Sequence, residues 1–182
     1  MHITIFNSDE CDNSVITIFI EELLKLLGKN HLVKVINLKD YNIKYCVGEL
    51  FCWIKTPGLC IVKDDTNIIN KIYIESEFVI FISPIKYGFI NSKLKTMLDK
   101  LLPLLNIKFE YINGIARHQK RYKKYPKTSF LFDFMSNESK LDFEILNNLM
   151  TEASNSMFTK PVFIKNIREF SAKEAYYEII NN

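Results

Sequence analysis

Five short runs rich in β-branched and aromatic residues punctuate the chain, and segments of helix length separate them. The runs are His2–Phe6 (HITIF), Leu32–Leu38 (LVKVINL), Phe78–Ile82 (FVIFI), Phe130–Met135 (FLFDFM) and Pro161–Ile167 (PVFIKNI). FVIFI has no polar gap, as a central strand covered on both faces requires. Ser14–Leu27 carries Val15, Ile18, Phe19, Leu23 and Leu26 near helical spacing. Asn13 or Ser14 caps it and Gly28 ends it. Asp65–Ser76 reads as a helix with Ile68, Ile69 and Ile72 inward, and Asn91–Leu105 as one capped by Asn91 or Ser92. Leu141–Ala153 and Ala172–Ile180 complete the helices, and Lys39–Asp64 is a long irregular stretch.

Strands alternating with helices pair in parallel through right-handed crossovers. The simplest reading is an α/β, flavodoxin-like three-layer sandwich, a five-stranded parallel sheet of order 2-1-3-4-5, with residues 1–182 as one domain. Ligands in such sheets sit beyond the carboxyl ends of the strands, at the switch point between strands 1 and 3. The loops to inspect are therefore Asn7–Asn13, Ser83–Ile90 and Ser136–Ser139.

Composition sets the remaining bounds. With 182 residues, 48% apolar and 25% charged, the chain can build a core without staples. A net charge of +3 does not make a nucleic-acid binder of the whole protein. No run of 18 apolar residues occurs, so no membrane span is expected, and the opening MHITIF is strand-like rather than a signal peptide. The reading is cytoplasmic, with Cys11, Cys46, Cys52 and Cys60 as reduced thiols.

Two segments go further: CVGELFCWIKTPGLCIVKDD, Cys46 to Asp65, and SPIKYGFINSKLKTMLDKLLP, Ser83 to Pro103. With the strand order, they resemble the NADPH-dependent FMN reductase and iron-sulfur flavoprotein group of flavodoxin-fold oxidoreductases. The first is similar to that group's cysteines followed by Trp-x-Lys-x-Pro-Gly-x-Cys, a hydrophobic pair and two aspartates. The second is similar to its Ser-Pro turn with Tyr and Gly, followed by a Leu-Lys helix. The resemblance implies FMN, with the flavin ring against Pro84–Gly88 and the phosphate at the first loop. The residues it implies are Ser8, Asn13, Ser14, Ser83, Pro84, Ile85, Lys86, Tyr87 and Gly88. It further implies NADPH or NADH as reductant, a small-molecule electron acceptor, and a homodimer whose second subunit lends residues to the flavin site. Elementary chemistry agrees: Gly88 lets backbone approach a flat ring closely, and Tyr87 can stack on it or define its edge. An ordinary strand-to-helix turn is the plainer reading of the same residues.

The first loop departs from that group's Gly-Ser-x-Arg-x-x-x-Asn-Thr. It reads Asn7-Ser8-Asp9-Glu10-Cys11-Asp12-Asn13-Ser14, with three acids and no Arg. At about 6 Å and an effective dielectric of about 20, each acid opposes each unit of phosphate charge by on the order of 3 kcal/mol before screening. A helix N-terminus offsets only about 1 kcal/mol. Either Asp9, Glu10 and Asp12 point outward, or FMN binding is weakened or lost; a divalent cation on these oxygens is a further alternative.

The cysteine positions that resemble cluster ligands read Cys46, Glu49, Cys52 and Cys60, with Cys11 on another loop. Four thiolates normally hold an iron–sulfur cluster, so none is expected. Trp53 reads as the packing anchor of this loop. Arg117–Lys127 (RHQKRYKKYPK) holds six Lys or Arg in eleven residues. It reads either as a solvated loop or as a docking surface for NADPH phosphates or an acidic partner, with Arg121, Tyr122 and Tyr125 the candidates. No Ser–His–Asp order and no Walker loop occurs, and His118 sits within the basic stretch.

Overall fold

The computed structural model describes residues 1–28, 30–112, 114–135 and 139–182. In chain order the elements are β1 (His2–Asn7), α1 (Val15–Leu27), β2 (Leu32–Asn37), α2 (Phe51–Ile54), α3 (Thr66–Glu75), β3 (Phe78–Lys86), β4 (Phe89–Ile90) and α4 (Ser92–Asp99). There follow β5 (Leu105–Ile112), β6 (Ile115–Lys120), β7 (Lys127–Asp133), α5 (Lys140–Ser156), β8 (Pro161–Asn166) and α6 (Ala172–Ile180). The central sheet runs β2-β1-β3-β7-β8, every neighbouring pair parallel. Counting these five strands alone, the order is the expected 2-1-3-4-5.

The period-two alternation of β3 builds two cores. Phe78, Ile80 and Ile82 face α1 and α6, where Ile16, Phe19, Ile20, Leu23, Ala175 and Ile179 meet them. Val79 and Phe81 face α3, α4 and α5, where Ile69, Tyr73, Leu94, Met97, Leu146 and Met150 close the opposite layer. Phe81 stacks on Phe6 at 5.8 Å and on Phe130 at 5.0 Å between ring centres, giving β1, β3 and β7 a shared aromatic seam. Among the described residues no helix is long and apolar enough to cross a membrane.

Several expectations need correction. α1 buries Ile16, Phe19, Ile20, Leu23 and Leu27, leaving Val15, Ile18 and Leu26 exposed. The helix is apolar on more than one face, so spacing alone could not choose its buried stripe. Ile68 likewise points to solvent while Ile69 is buried. β3 runs to Lys86 and folds back through the two-residue β4. The helix expected over Asn91–Leu105 stops at Asp99; a tight turn containing Pro103 follows, and β5 begins at Leu105. β5 pairs antiparallel with β6, so the expected loop at Arg117–Lys127 begins as a strand. Asn113-Gly114 flanked by alternating apolar residues is the sequence signal for such a hairpin.

Candidate functional site

β1 ends at Asn7, opposite Ile82, while β3 continues to Lys86; the loop after β1 and this extension form one corner at the carboxyl edge of the sheet. On the β3 side, Lys86 and Phe89 face each other across Tyr87 and Gly88, with φ of 54° and 73°. Positive φ at both central residues is the tight hairpin turn whose twist matches its strands. It leaves Tyr87 fully exposed and Lys86 beside it exposed. A Cβ on Gly88 would lie 3.3 Å from Cγ of Asp142 in the first turn of α5, so glycine serves both the conformation and the close packing. Pro84 is half-buried, whereas Ile85 turns into the core. Ser83 is buried; its hydroxyl donates to the Pro84 carbonyl and accepts from the Asn91 N–H.

On the β1 side the loop closes on itself. Ser8 is fully buried, and both its N–H and its hydroxyl donate to the Ile82 carbonyl at 3.0 Å. Asp9 is buried, and its carboxylate accepts the Cys11 N–H at 3.1 Å. Glu10 and Asp12 point out, Glu10 3.9 Å from Lys93 Nζ and Asp12 2.6 Å from Lys39 Nζ. Burial opposes charge on Lys39, but its hydrogen bond to Asp12, the larger effect, raises its pKa. The alternative posed by the sequence is therefore split: two acids face outward beside cations, and one stays inside. Asn13 holds φ of 61°, and Ser14 caps α1 by accepting the Thr17 N–H. The N–H groups of the turn beginning at Val15 face this loop without intrahelical partners.

Asn91 joins the two sides. Its amide donates to the Ser8 carbonyl at 2.6 Å, its carbonyl oxygen caps α4 by accepting the Leu94 N–H, and its own N–H reaches Ser83. As a cap, Asn91 is legible from the sequence; the bond to Ser8, 83 residues away, is not. Of the expected residues, Lys86, Tyr87 and Gly88 form an outward turn, Asn13 and Ser14 lie on the loop that leads into α1, and Ser8, Ser83 and Ile85 are buried. Of the third expected loop, Ser136–Ser139, residues 136–138 lie outside the described residues.

The cysteine segment is pinned to the stretch between α4 and β5. Trp53 anchors it as expected: its indole N–H donates to the carbonyls of Leu102 and Leu105. The His118 ring lies between Trp53 at 4.7 Å and Phe109 at 4.2 Å, its Nδ1 bonded to the Asn106 carbonyl. Those contacts make His118 a hairpin strut. Arg121 Nε donates to the Leu105 carbonyl, and the Tyr125 hydroxyl, donating to Leu104, accepts the Arg121 N–H. Burial pushes the Tyr125 phenol pKa up. These two candidates brace the root of the hairpin, while Tyr122 packs edge-on against Tyr125.

Cys11 and Cys46 are exposed, Cys52 and Cys60 buried. Cys60 Sγ accepts from Lys100 Nζ at 3.3 Å, and among the described residues no three His, Cys, Asp or Glu side chains converge as a metal site. A cavity of about 560 Å³ lies between α4 and α5 over Phe81 and Phe130, and Cys46 and Gly48 of the cysteine segment and Phe89 of β4 also line it.

Two curated relatives align with the chain. An iron-sulfur flavoprotein from Archaeoglobus fulgidus is 32% identical over 81 residues, 44% of this chain and 36% of the relative. An iron-sulfur flavoprotein from Methanocaldococcus jannaschii is 29% identical over 101 residues, 55% of this chain and 51% of the relative. The aligned stretches thus span about half or less of those relatives' lengths. Among solved structures, an FMN-dependent NADH-azoreductase from Bacillus anthracis in complex with FMN superposes with a TM-score of 0.63 at 16% identity, covering 100% of this chain and 97% of that one. That likeness establishes a shared fold. Residues 1–116, which hold both edges of the corner and the whole cysteine segment, match the description of one family, and the chain belongs to it: the NADPH-dependent FMN reductases.

Proposed function

We propose that this protein is an FMN-dependent NAD(P)H oxidoreductase that passes electrons to a small-molecule acceptor. One observation carries the reading: the β3 extension ending in the exposed turn Lys86–Tyr87–Gly88 and the loop from β1 into α1 leave neighbouring strands at the switch point of a parallel sheet, tied through Asn91. The residues fit the cofactor at both ends. Tyr87 and the Gly88 backbone offer a face and close-approach contacts for a flat ring. The α1 N-terminal amides and Asn13 offer donors for a phosphate, with Glu10 and Asp12 drawn toward lysines. When bound, FMN supplies hydride acceptance and electron transfer. The chain's own part is binding and orientation: Asn91 and Ser83 hold the two loops in register, and Pro84 shapes the wall beneath the ring. Within Arg117–Lys127, Lys123 and Lys124 are candidates to meet nicotinamide phosphates, since their neighbours Arg121 and Tyr125 are already committed to the hairpin. A homodimer covering the exposed Ile107, Phe109 and Tyr111 of the hairpin completes this reading, in the cytoplasm.

An iron–sulfur cluster forms no part of it. Glu49 stands where the second cysteine is expected, and the Cys60 thiol is taken by Lys100.

A second reading has its own observation. Asp9 is buried in the phosphate loop and, among the described residues, forms no ion pair. A flavodoxin-like binding or regulatory protein that has lost FMN would tolerate this; a carrier that keeps FMN and is reduced by a partner protein is the remaining alternative. Flavin content and FMN titration of the purified protein separate the readings. The oxidoreductase is yellow, with absorbance near about 450 nm, and bleaches when NADPH is added without oxygen. A protein that stays colourless after FMN is added supports the binding protein, and a yellow one that NADPH does not bleach supports the carrier.

A further inference from the structure

Lys100 follows the last residue of α4, and its side chain is 3% exposed. Its backbone N–H closes α4 on Thr96 and Met97, and its carbonyl accepts the Asn70 amide at 2.9 Å. Its Nζ lies 3.3 Å from Cys60 Sγ and 3.6 Å from Oδ2 of Asp64, whose side chain is fully buried. Cys60 is held equally firmly. The Asn67 side chain accepts its N–H at 2.8 Å and donates to its carbonyl at 2.9 Å. A buried ammonium requires partners, and here a thiol serves as one of them. Neither nitrogen nor sulfur can drift far from the other, because both backbones are pinned.

Fixed proximity of an amine and a thiol is the condition for joining them by oxidation. We propose that Cys60 and Lys100 form a reversible covalent N–O–S bridge when the protein meets hydrogen peroxide. The balance is one thiol, one ammonium and two hydrogen peroxide molecules giving the bridge, three waters and one proton. Sulfur first gives two electrons to a peroxide and gains oxygen as a sulfenic acid, releasing water. The second peroxide takes two electrons from the amine as nitrogen bonds to that oxygen, releasing two more waters; the S–H and ammonium protons leave in these waters and to solvent. An inserted oxygen requires the present 3.3 Å N···S separation to close only modestly, whereas a direct S–N bond would have to roughly halve it. Asp64, hydrogen-bonded by the N–H groups of Lys44 and Thr66, remains a carboxylate beside the nitrogen that keeps one hydrogen. The bridge ties the cysteine segment to the end of α4, the helix that Asn91 begins at the corner. It needs no bound flavin.

The experiment uses the full chain with Cys11 and Cys46, the exposed thiols, replaced by serine. After peroxide treatment, intact mass is expected to rise by one oxygen less two hydrogens. Peptide mapping is expected to join the Cys60 and Lys100 peptides, and dithiothreitol to restore the starting mass. The bridged form should melt at a higher temperature and lose that gain on reduction. Lys100→Arg keeps the buried cation beside Asp64 but cannot give this product, and should show the thiol ladder alone. A Cys52–Cys60 disulfide, an unlinked sulfenic or sulfinic Cys60, a link lacking the oxygen, or an unreacted Cys60 in the folded, peroxide-treated protein would each overturn the proposal.

Discussion

The two loops of the corner begin alike and end differently. Each follows the carboxyl end of a central strand, each buries a serine, and each is tied to Asn91. Beyond its serine, the Ser83 loop turns outward and spends two residues in the left-handed region to display Tyr87. The Ser8 loop turns inward, burying Asp9, whose carboxylate accepts the Cys11 N–H. One loop offers a surface, while much of the other's polar capacity is satisfied within the chain. Affinity for a cofactor spanning both should therefore come mostly from the ring end, and the loops should respond oppositely to substitution.

Their common tie should respond first. Asn91→Ala removes the α4 cap, about 1 kcal/mol, and leaves the Ser8 carbonyl without its donor, about 1–3 kcal/mol more. Urea denaturation is expected to show a loss of roughly 2–4 kcal/mol in total. Asn91→Asp keeps the cap but not the donor, so it should lie between. Equal stability of all three proteins would show that the loops are not coupled through this side chain.

The next effect belongs to the outward loop alone. Gly88→Ala places a Cβ in the left-handed region and 3.3 Å from Asp142. It should cost about 1–2 kcal/mol and weaken FMN binding with it. An alanine variant with unchanged denaturation midpoint and FMN affinity would break the claim that this turn is the ring's support.

How far the sequence carries depends on the kind of interaction. The parallel order is legible because each strand is a run of apolar residues bounded by helix signals, and the Ser14 and Asn91 caps because their side chains act within one turn. The corner is legible as a place, since the switch point follows from strand order. The inward fold of Asp9 is not, because a carboxylate beside a helix N-terminus is ordinarily solvated and only the loop's backbone path buries it. Nor is Lys100: lysines are almost never fully buried unless paired, and its partners Cys60 and Asp64 lie 40 and 36 residues earlier in the chain. The β5–β6 hairpin hides for another reason. Its alternation carries charges, including Lys108, Glu110 and Arg117, that obscure the apolar face.

The inward loop should answer in the opposite sense. Asp9→Asn retains a side-chain oxygen for the Cys11 N–H while removing the charge. Folding should change little, and FMN should bind about tenfold more tightly, ~1.4 kcal/mol, a fraction of the unscreened repulsion. Quenching of flavin fluorescence measures this directly. Unchanged or weaker binding would place the phosphate away from Asp9.

The smallest effect is the most discriminating, because its two parts have opposite signs. The first central position of this turn type favours asparagine, which tolerates positive φ, and disfavours a bulky aromatic. Tyr87 occupies it at φ 54° while wholly exposed, so its ring contributes nothing to the core that would offset the strain. Strain held without a packing return is the pattern of a residue kept for contact with a ligand. Tyr87→Asn should therefore raise stability by about 0.5–1 kcal/mol in urea titration while lowering FMN affinity several-fold. A variant gaining stability with FMN affinity untouched would strip the tyrosine of its place against the ring. One losing stability would show that the exposed phenol supports the turn itself, erasing the contrast between an outward loop built for contact and an inward loop built for itself.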